Sequence, residues 1–341
     1  RSYSVTGVQT CALPISMAAA EIGDDVYGED PTVNYLEEIS AKKMGKEAGL
    51  FIPSGTMGNL IAMLTHVQRG EEVIMGDQAH TFVYEVGGVS ALGGIMVHTV
   101  PNQPDGSMKL VDIQNAIRSI DVHFPTTRLI ALENTHNRCG GVVLTPEYVQ
   151  NVVQLAQENE LIVHMDGARI FNAAIKLGVP AKNLVEGMDS ITFCLSKGLG
   201  APVGSVLCGT QDFIFRARRI RKQLGGGMRQ AGILAAAGVV AVETMIDRLV
   251  EDHKRAQMLA MKLGNIPNIH IRDNSPHTNM VFLDLDECES RTNIQVIDEL
   301  KKLGVLIGTS KNRGFRLVTH YGISDQDIDE EIGRASCRER V

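Results

Sequence analysis

The chain has 341 residues, of which 44% are hydrophobic and 21% are charged, and its net charge at pH 7 is −7. This composition excludes collagen-like, disulfide-scaffold and strongly disordered proteins, and the length allows one large domain with a smaller one. No basic stripe suits a nucleic-acid backbone, and the apolar runs are far shorter than the roughly 18 residues of a membrane span. We therefore expect a cytoplasmic protein of enzyme size, with no nucleic-acid or membrane partner.

The two ends of the chain show neither helical nor strand periodicity. Residues 1–16 and 331–341 resemble in-frame translations of sequencing adapters, and a plausible start residue, Met17, follows the first of them. Residues 1–16 also lack the charged start and apolar core of a signal peptide. We therefore expect residues 1–16 and 331–341 to be artefact tails around a native core of residues 17–330.

The cysteines indicate reduced thiols rather than disulfides. Two of the six lie in the expected tails, and the others have neither CxxC pairing nor the Cys/His spacing of a metal centre. Cys194 and Cys208 sit within apolar runs, which favours buried thiols in a reducing cytoplasm. No metal is expected. The remaining cysteines are Cys11, Cys139, Cys288 and Cys337.

In chain order, the first elements are a polar loop, a helix and a strand. Residues 23–30 form the loop, and Asp30 followed by Pro31 predicts the N-cap and first residue of a helix. The apolar residues 50–52 predict a strand, which leads through a Gly-rich turn into a helix over residues 57–67.

Short apolar runs then alternate with helical patterns, such as the helix over residues 146–159. This alternation is typical of a parallel sheet covered by helices on both faces. The predicted strands are residues 73–75, 95–100, 129–132, 161–165, 191–195 and 204–207.

Near Gln230 the pattern changes to one long helical stretch that runs to about Leu263. Beyond it, the sequence predicts strands over residues 280–285, 305–308 and 315–318, and a helix over residues 293–303. We therefore expect an α/β protein. A large domain, residues 17–235, is joined through the long helix to a small C-terminal α/β domain, residues 236–330.

Three features lie at the carboxyl ends of predicted strands, where open α/β sheets bind ligands. Gly55 and Thr56 belong to a Gly-rich turn before a helix, which suits a phosphate, although a plain helix start explains them as well. Asp166 ends a buried strand and needs a cationic partner, either Arg169 or the nitrogen of a ligand. Lys197 ends another buried strand, a placement that suits a Schiff-base lysine.

Taken together, the three features indicate pyridoxal phosphate (PLP). This cofactor needs a phosphate cradle, an acid that keeps its pyridine nitrogen protonated, and an amine that holds its aldehyde. Residues 55–56, Asp166 and Lys197 supply the three in chain order.

Six segments of the chain resemble the low-specificity L-threonine aldolases, which are fold-type-I PLP-dependent enzymes. The resemblance covers about residues 20–330 and implies a large domain with a mostly parallel sheet plus a small C-terminal domain. It also implies retro-aldol cleavage of L-threonine or L-allo-threonine to glycine and acetaldehyde. The segments are GDDVYGEDP at residues 23–31, PSGTMGN at 53–59, ENTHN at 133–137, HMDGAR at 164–169, LSKG at 195–198 and LGGGMRQ at 224–230.

The resemblance assigns the cofactor contacts to particular residues. Lys197 would form the Schiff base, Asp166 would bind the pyridine nitrogen, and Gly55 with Thr56 would bind the phosphate. Arg169 would lie beside the cofactor and, with Arg316 in the segment 315–320, would bind the carboxylate of a β-hydroxy amino acid substrate.

The resemblance also concerns proton transfer and neighbouring subunits. His80 matches a histidine that stacks on the cofactor ring, and both His80 and His123 are candidates for the general base, with bound water or the cofactor phosphate as alternatives. Tyr27, Lys222 and Arg229 resemble residues that reach a neighbouring subunit's site, Tyr27 towards the substrate and the other two towards the cofactor. A homotetramer with shared active sites is therefore expected.

Other interpretations of the same residues stay open. An aminotransferase or a β-eliminating lyase of the same fold would also use Asp166 and Lys197. A third alternative is a truncated, catalytically impaired chain that still binds the cofactor. It arises because the short Ser-Asp-Thr-type segment that begins these aldolases is replaced here by the adapter-like residues 1–16.

Overall fold

The structure is a computed structural model that describes residues 8–273, 275–286, 292–309 and 314–329. Its larger sheet has seven strands in the order β1-β7-β6-β5-β4-β2-β3. β7 is antiparallel to both of its neighbours, and all the other pairs are parallel. The predicted mostly parallel α/β sheet is therefore confirmed. The strands are β1 (Ala48–Ile52), β2 (Glu72–Gly76), β3 (Met96–Val100), β4 (Thr127–Glu133), β5 (Ile162–Asp166), β6 (Ser190–Cys194) and β7 (Ser205–Gly209).

Helices cover both faces of this sheet, and buried apolar side chains fill the space between helices and sheet on each side. Short 3₁₀ turns lie at Asp25–Tyr27 and Ala181–Leu184. The helices are α1 (Val8–Ala18), α2 (Pro31–Met44), α3 (Gly55–His66), α4 (His80–Val83), α5 (Gly88–Gly93), α6 (Leu110–Ala116), α7 (Pro146–Glu158), α8 (Ile170–Leu177), α9 (Gln211–Gln223) and α10 (Gly232–Thr244).

The predicted start of α2 is confirmed, and its N-cap also joins distant segments. Asp30 is fully buried, and its Oδ1 accepts hydrogen bonds from the backbone N–H groups of Thr32 and Val33. Its Oδ2 accepts from the N–H groups of Gly23 and Gly232. One carboxylate therefore fixes the loop at residues 23–30, the start of α2 and the start of α10.

The C-terminal part contains a second sheet, which is antiparallel and has the order β10-β11-β9-β8. Its apolar side chains pack against α11. The expected strand over residues 305–308 is wrong, because only a two-residue strand at Gly308–Thr309 pairs in this region, and β8 was not predicted. The elements are α11 (Leu249–Leu263), β8 (Ile269–Ile271), β9 (Met280–Leu285), α12 (Asn293–Lys302), β10 (Gly308–Thr309) and β11 (Gly314–Val318).

The single long helix expected from Gln230 to Leu263 is wrong, because residues 245–248 break it into α10 and α11. Met245, the first residue of the break, and Leu249, which follows it, are both buried. Arg248 donates to the buried carboxylate of Asp252 at 2.7 Å. The break lets α10 pack against α2 while α11 packs against α8 and β9. The predicted domain boundary between residues 235 and 236 falls within α10 and stays a prediction.

The ends of the chain differ in what the structure describes. Residues 8–18 form α1 although residues 1–16 show no helical periodicity, and Ser16 Oγ donates to the carbonyl of Ala236 at 3.3 Å. Residues 331–341 and Cys288 lie outside the described residues, and the artefact origin of both tails stays a prediction.

Cys139, Cys194 and Cys208 are free thiols. No described helix has the length and apolar character that crossing a membrane requires.

The close approach of α3 to the sheet depends on a glycine. A Cβ on Gly58 would lie 2.4 Å from Cδ1 of Ile52 and 2.6 Å from Cγ2 of Thr192. Only a residue without a side chain lets the helix axis come this near to β1 and β6. The adjacent residue, Asn59, therefore reaches the ends of the central strands.

Gly58→Ala should lower the free energy of unfolding by about 1–3 kcal/mol, because the added methyl overpacks the contact between α3 and the sheet. The matched control is Gly88→Ala in α5, where the nearest atoms to an added Cβ are Leu60 methyls at 3.7 Å. That control should stay within about 1 kcal/mol of the wild type. Urea unfolding followed by circular dichroism measures both variants. Equal stability of the two variants would contradict the close-approach argument.

Candidate active site

The carboxylate of Asp166 lies at the C-terminal end of β5, where its residue is 4% exposed. Its Oδ1 accepts a hydrogen bond from the backbone N–H of Ala168 at 3.1 Å. Its Oδ2 accepts one from the side-chain Nδ2 of Asn59 at 2.9 Å. No salt bridge joins Arg169 to any carboxylate among the described residues, so the internal Asp166–Arg169 pair is not formed. The imidazole of His80 lies 3.9 Å from Oδ2 of Asp166, and a protonated ligand nitrogen would be a further cationic partner of this buried acid.

Lys197 follows the end of β6, the strand next to β5 in the sheet. The turn after it is tight: the Gly200 N–H donates to the Lys197 carbonyl at 3.0 Å, and Gly200 has φ +77°. A Cβ on Gly198 would lie 2.9 Å from Oδ1 of Asn172. This glycine-rich turn holds a half-buried amine at the same edge of the sheet as Asp166.

The N-terminus of α3 offers a phosphate cradle at the same edge. Ser54 caps the helix by accepting the Met57 N–H on its hydroxyl at 3.2 Å. The N–H groups of Gly55 and Thr56, in the first turn, have no intrahelical partner. A Cβ on Gly55 would lie 2.8 Å from Sγ of Cys194, so the backbone approaches β6 closely here. Free N–H groups and the positive end of the helix dipole favour a phosphate.

His80 begins α4 and lies beside two buried acids. Its Nδ1 is 3.0 Å from Oε1 of Glu85 and 3.9 Å from Oδ2 of Asp166. Its backbone N–H donates to Glu133 at 2.7 Å. The hydrogen bond with Glu85 raises the pKa of His80 above its usual value, whereas burial opposes this shift.

The ligand atoms of His80, Glu85 and Asp166 all lie within 4.8 Å of one another, as a metal site would require. The Nδ2 group of Asn59 donates to both acids at 2.9 Å. These hydrogen bonds account for the cluster without an ion.

Arg316 lines the cavity beside His80, and Arg169 is close enough to Arg316 for their charges to interact. Arg316 donates to Oδ1 of Asn137 at 2.6 Å. Burial, and then the nearby charge of Arg316, lowers the pKa of Arg169 from its usual value. Two adjacent cations without a carboxylate partner within salt-bridge distance, among the described residues, suit an anionic ligand. The cavity has a volume of about 540 Å³ and is lined by His80, Tyr84, Asn137, Arg138, Arg272, Phe282, Thr309 and Arg316.

Comparison with known proteins places this geometry in a family. Residues 1–287 match the family model of the β-eliminating lyases. The low-specificity L-threonine aldolase 1 of Arabidopsis thaliana is 47% identical over 331 residues, which cover 96% of this chain and 92% of the plant protein. The low specificity L-threonine aldolase of Escherichia coli K12 is 44% identical over 331 residues, covering 97% of this chain and 96% of the bacterial one.

The chain belongs to the low-specificity L-threonine aldolases, within the β-eliminating lyase family. The fold agrees: the threonine aldolase of Leishmania major superposes with a TM-score of 0.80 at 22% identity, covering 97% of this chain and 96% of that one. The protein is therefore an enzyme of the lyase class, and its cofactor is pyridoxal phosphate. The chemistry of the donor set around Asp166, Lys197 and the α3 N-terminus fits this cofactor.

The remaining predicted residues of this aldolase lie away from the cavity in a single chain. Tyr27 is 72% exposed, and the guanidinium of Arg229 lies 5.9 Å from its ring centroid and 2.6 Å from Asp24. Lys222 is exposed at the end of α9. The side chain of His123 is 81% exposed, with Nδ1 at 2.6 Å from Asp121. The structure does not bring these four side chains together with Lys197.

Several side chains around the candidate site have no role among the sequence predictions. Asn59 and His164 lay inside quoted motifs without a role, while Glu85 and Ser190 were not considered. A usable signal was present in β5 and β6, whose sequences IVHMD and SITFC place polar residues on one face at every second position. Glu85 gave no comparable signal, because it follows His80 by five residues across the end of a four-residue helix.

Glu85→Gln should lower the pKa of His80, because the hydrogen bond that holds the imidazolium loses its negative acceptor. Since the pKa of His80 is raised in the fold, the pair stabilises the protein below about pH 6.5, and this contribution is lost as the pH rises through the raised pKa. Proton NMR titration of the His80 ring measures the shift. Asp121→Asn, which removes the partner of His123 instead, serves as control and should leave His80 unchanged. An unshifted His80 in Glu85→Gln would contradict this assignment.

Proposed function

We propose that this chain cleaves L-threonine and L-allo-threonine to glycine and acetaldehyde, using pyridoxal phosphate bound at Lys197. The observation that carries the proposal is the placement of a buried carboxylate and an amine at the ends of two neighbouring strands, beside Arg169 and Arg316. The identity of the relatives supports the same reaction, since those named above are called low-specificity L-threonine aldolases.

The cofactor contacts follow from the chemistry of each group. The free N–H groups of Gly55 and Thr56 would bind the phosphate, and the Asp166 carboxylate would accept the pyridine N–H. When bound, pyridoxal phosphate supplies an aldehyde that condenses with amines and a protonated ring that accepts the electron pair of the broken Cα–Cβ bond. Lys197 would hold the aldehyde.

The substrate contacts use the two guanidinium groups and the imidazole. Arg169 and Arg316 would bind the substrate carboxylate, and this would fix the orientation of the Cα–Cβ bond. His80 would pack against the cofactor ring, since its side chain lies between Asp166 and the cavity. His80, His123, bound water and the cofactor phosphate remain the candidates for removing the β-hydroxyl proton. Of the two histidines, His80 lines the cavity, whereas His123 is exposed.

Assembly and location belong to the same proposal. Tyr27, Lys222 and Arg229 are exposed in the single chain, which supports a role in the active site of a neighbouring copy. We infer a homotetramer with shared sites, acting in the cytoplasm in threonine breakdown and glycine formation.

Product analysis separates the proposed reaction from its alternatives. The purified chain with pyridoxal phosphate and L-allo-threonine should release acetaldehyde and glycine in equal amounts, measured with an NADH-coupled reductase and by amino-acid analysis. Ammonia with a keto acid would indicate a β-eliminating lyase, and turnover that depends on added 2-oxoglutarate would indicate an aminotransferase. A cofactor absorption band without any product would indicate the catalytically impaired chain.

Lys197→Ala should abolish acetaldehyde release, because no other amine follows a strand end of the larger sheet at this edge. Lys302→Ala, at an exposed position of α12, is the matched control and should keep the rate within about twofold. Reduction of the loaded enzyme with borohydride followed by peptide mass spectrometry should place the label on Lys197 and nowhere else. Substantial turnover by Lys197→Ala would refute the assignment.

A further inference from the structure

Behind Asp166, a continuous chain of hydrogen-bonded side chains runs between α3 and the sheet. His66 Nε2 lies 2.9 Å from Ser190 Oγ, which lies 2.8 Å from His164 Nδ1. His164 Nε2 lies 3.3 Å from Asn59 Oδ1. Asn59, His164 and Ser190 are at most 1% exposed, and His66 is half-buried at the end of α3. This chain ends at the acid that would bind the cofactor nitrogen.

The strand register explains why these polar groups meet. His164 and Asp166 are two residues apart in β5 and therefore share one face. Ser190 pairs with His164 across the parallel ladder between β5 and β6. On the opposite face, Val163 and Met165 belong to the main apolar core. The polar face lies under α3, whose glycine contact with β6 brings the Asn59 amide within reach.

The direction of each hydrogen bond follows from the donors available. Both N–H bonds of the Asn59 amide point to carboxylates, Asp166 and Glu85, so its carbonyl oxygen must accept. His164 Nε2 therefore carries the proton. Burial lowers the pKa of His164 to about 3, so its other nitrogen is unprotonated and accepts the Ser190 hydroxyl.

His66, at the outer end of this hydrogen-bonded series, is also held in one orientation. Burial also lowers the pKa of His66 to about 3, and this neutral ring donates from Nε2 to Ser190 Oγ. The His66 ring stacks on Phe213 with centroids 4.2 Å apart and planes 11° apart. Stacking fixes the ring, and the ring fixes the serine hydroxyl. Each link therefore selects the orientation of the next one inward.

The opposite orientation of the Asn59 amide would be unfavourable. Its carbonyl oxygen would face two carboxylates, and Asp166 would lose the hydrogen bond to its Oδ2. A buried carboxylate that loses a donor is destabilised by more than an ordinary hydrogen bond is worth. In the correct orientation the buried carbonyl oxygen of the amide still needs a donor, and His164 Nε2 is the group in that position.

We propose that His164 is a positioning residue of the cofactor site, which holds the Asn59 amide so that both of its N–H groups face Asp166 and Glu85. Ser190 and His66 select the tautomer of His164 that can do this. The inference rests on the proposed binding of pyridoxal phosphate at Asp166, and it adds a function for three side chains that touch neither cofactor nor substrate.

The test measures cofactor binding in the absence of substrate. His164→Leu removes the donor to Asn59. It should raise the dissociation constant for pyridoxal phosphate about tenfold and shift the visible band of the bound cofactor. His164→Gln, whose amide nitrogen can replace Nε2, should restore both to within about threefold of the wild type. Tyr148→Phe is the control for loss of a half-buried hydrogen bond elsewhere, since its hydroxyl bonds the backbone of Met108. It should lower only the melting temperature.

Ser190→Ala keeps the imidazole but removes the hydroxyl that selects its tautomer. It should weaken cofactor affinity by about threefold in the same direction, and it provides the test if His164→Leu fails to fold. Wild-type affinity and an unshifted band in a folded His164→Leu or Ser190→Ala would overturn the proposal. These readouts need no cleavage of threonine, so failure of the proposed reaction and failure of this inference give different results.

Discussion

The candidate active site depends on one carboxyl group held at a buried position. Asp166 is the last residue of β5 and is almost completely buried. A buried anion is tolerated only when hydrogen-bond donors surround it. The backbone N–H of Ala168 and the amide of Asn59 supply two of these donors. The His80 imidazole lies 3.9 Å away, and under the proposed function a protonated ring nitrogen would be a second cationic partner of this acid.

Under the proposed function, α3 would serve two of the three needs of the cofactor. The first turn of α3 presents free N–H groups, and one turn later Asn59 braces Asp166 from the side. Both placements depend on small residues, because Gly55 lies against Cys194 and Gly58 lies against Thr192. Since the phosphate cradle and Asn59 belong to one rigid element, helix geometry sets the spacing between these two groups.

Much of this arrangement could be predicted from the sequence. Apolar runs located every strand of the larger sheet, and the residues that follow two of them, Asp166 and Lys197, lie at its ligand-binding edge because parallel strands align their ends. The break between α10 and α11 could not be predicted, since residues 245–248 contain neither glycine nor proline. The series of hydrogen-bonded side chains from His66 to Asn59 depends on the register between β5 and β6. No local sequence pattern contains this register, so the series could not be predicted. Tyr27, Lys222 and Arg229 are exposed in the single chain, and their expected role at a neighbouring subunit's site stays a prediction.

The position of β1 in the sheet has a consequence for synthesis on the ribosome. In the described sheet β1 is an edge strand whose neighbour is β7, so that Ile52 pairs with Ser205. The apolar residues of β1 therefore emerge long before their partner strand exists. Until then α3 also lacks its packing contact with β6. The site can therefore form only in a late step, in which β1 pairs with β7 and α3 packs on β6. A nascent chain of this kind spends much of its elongation with an unpaired apolar strand, and we expect it to need shielding by chaperones during that interval.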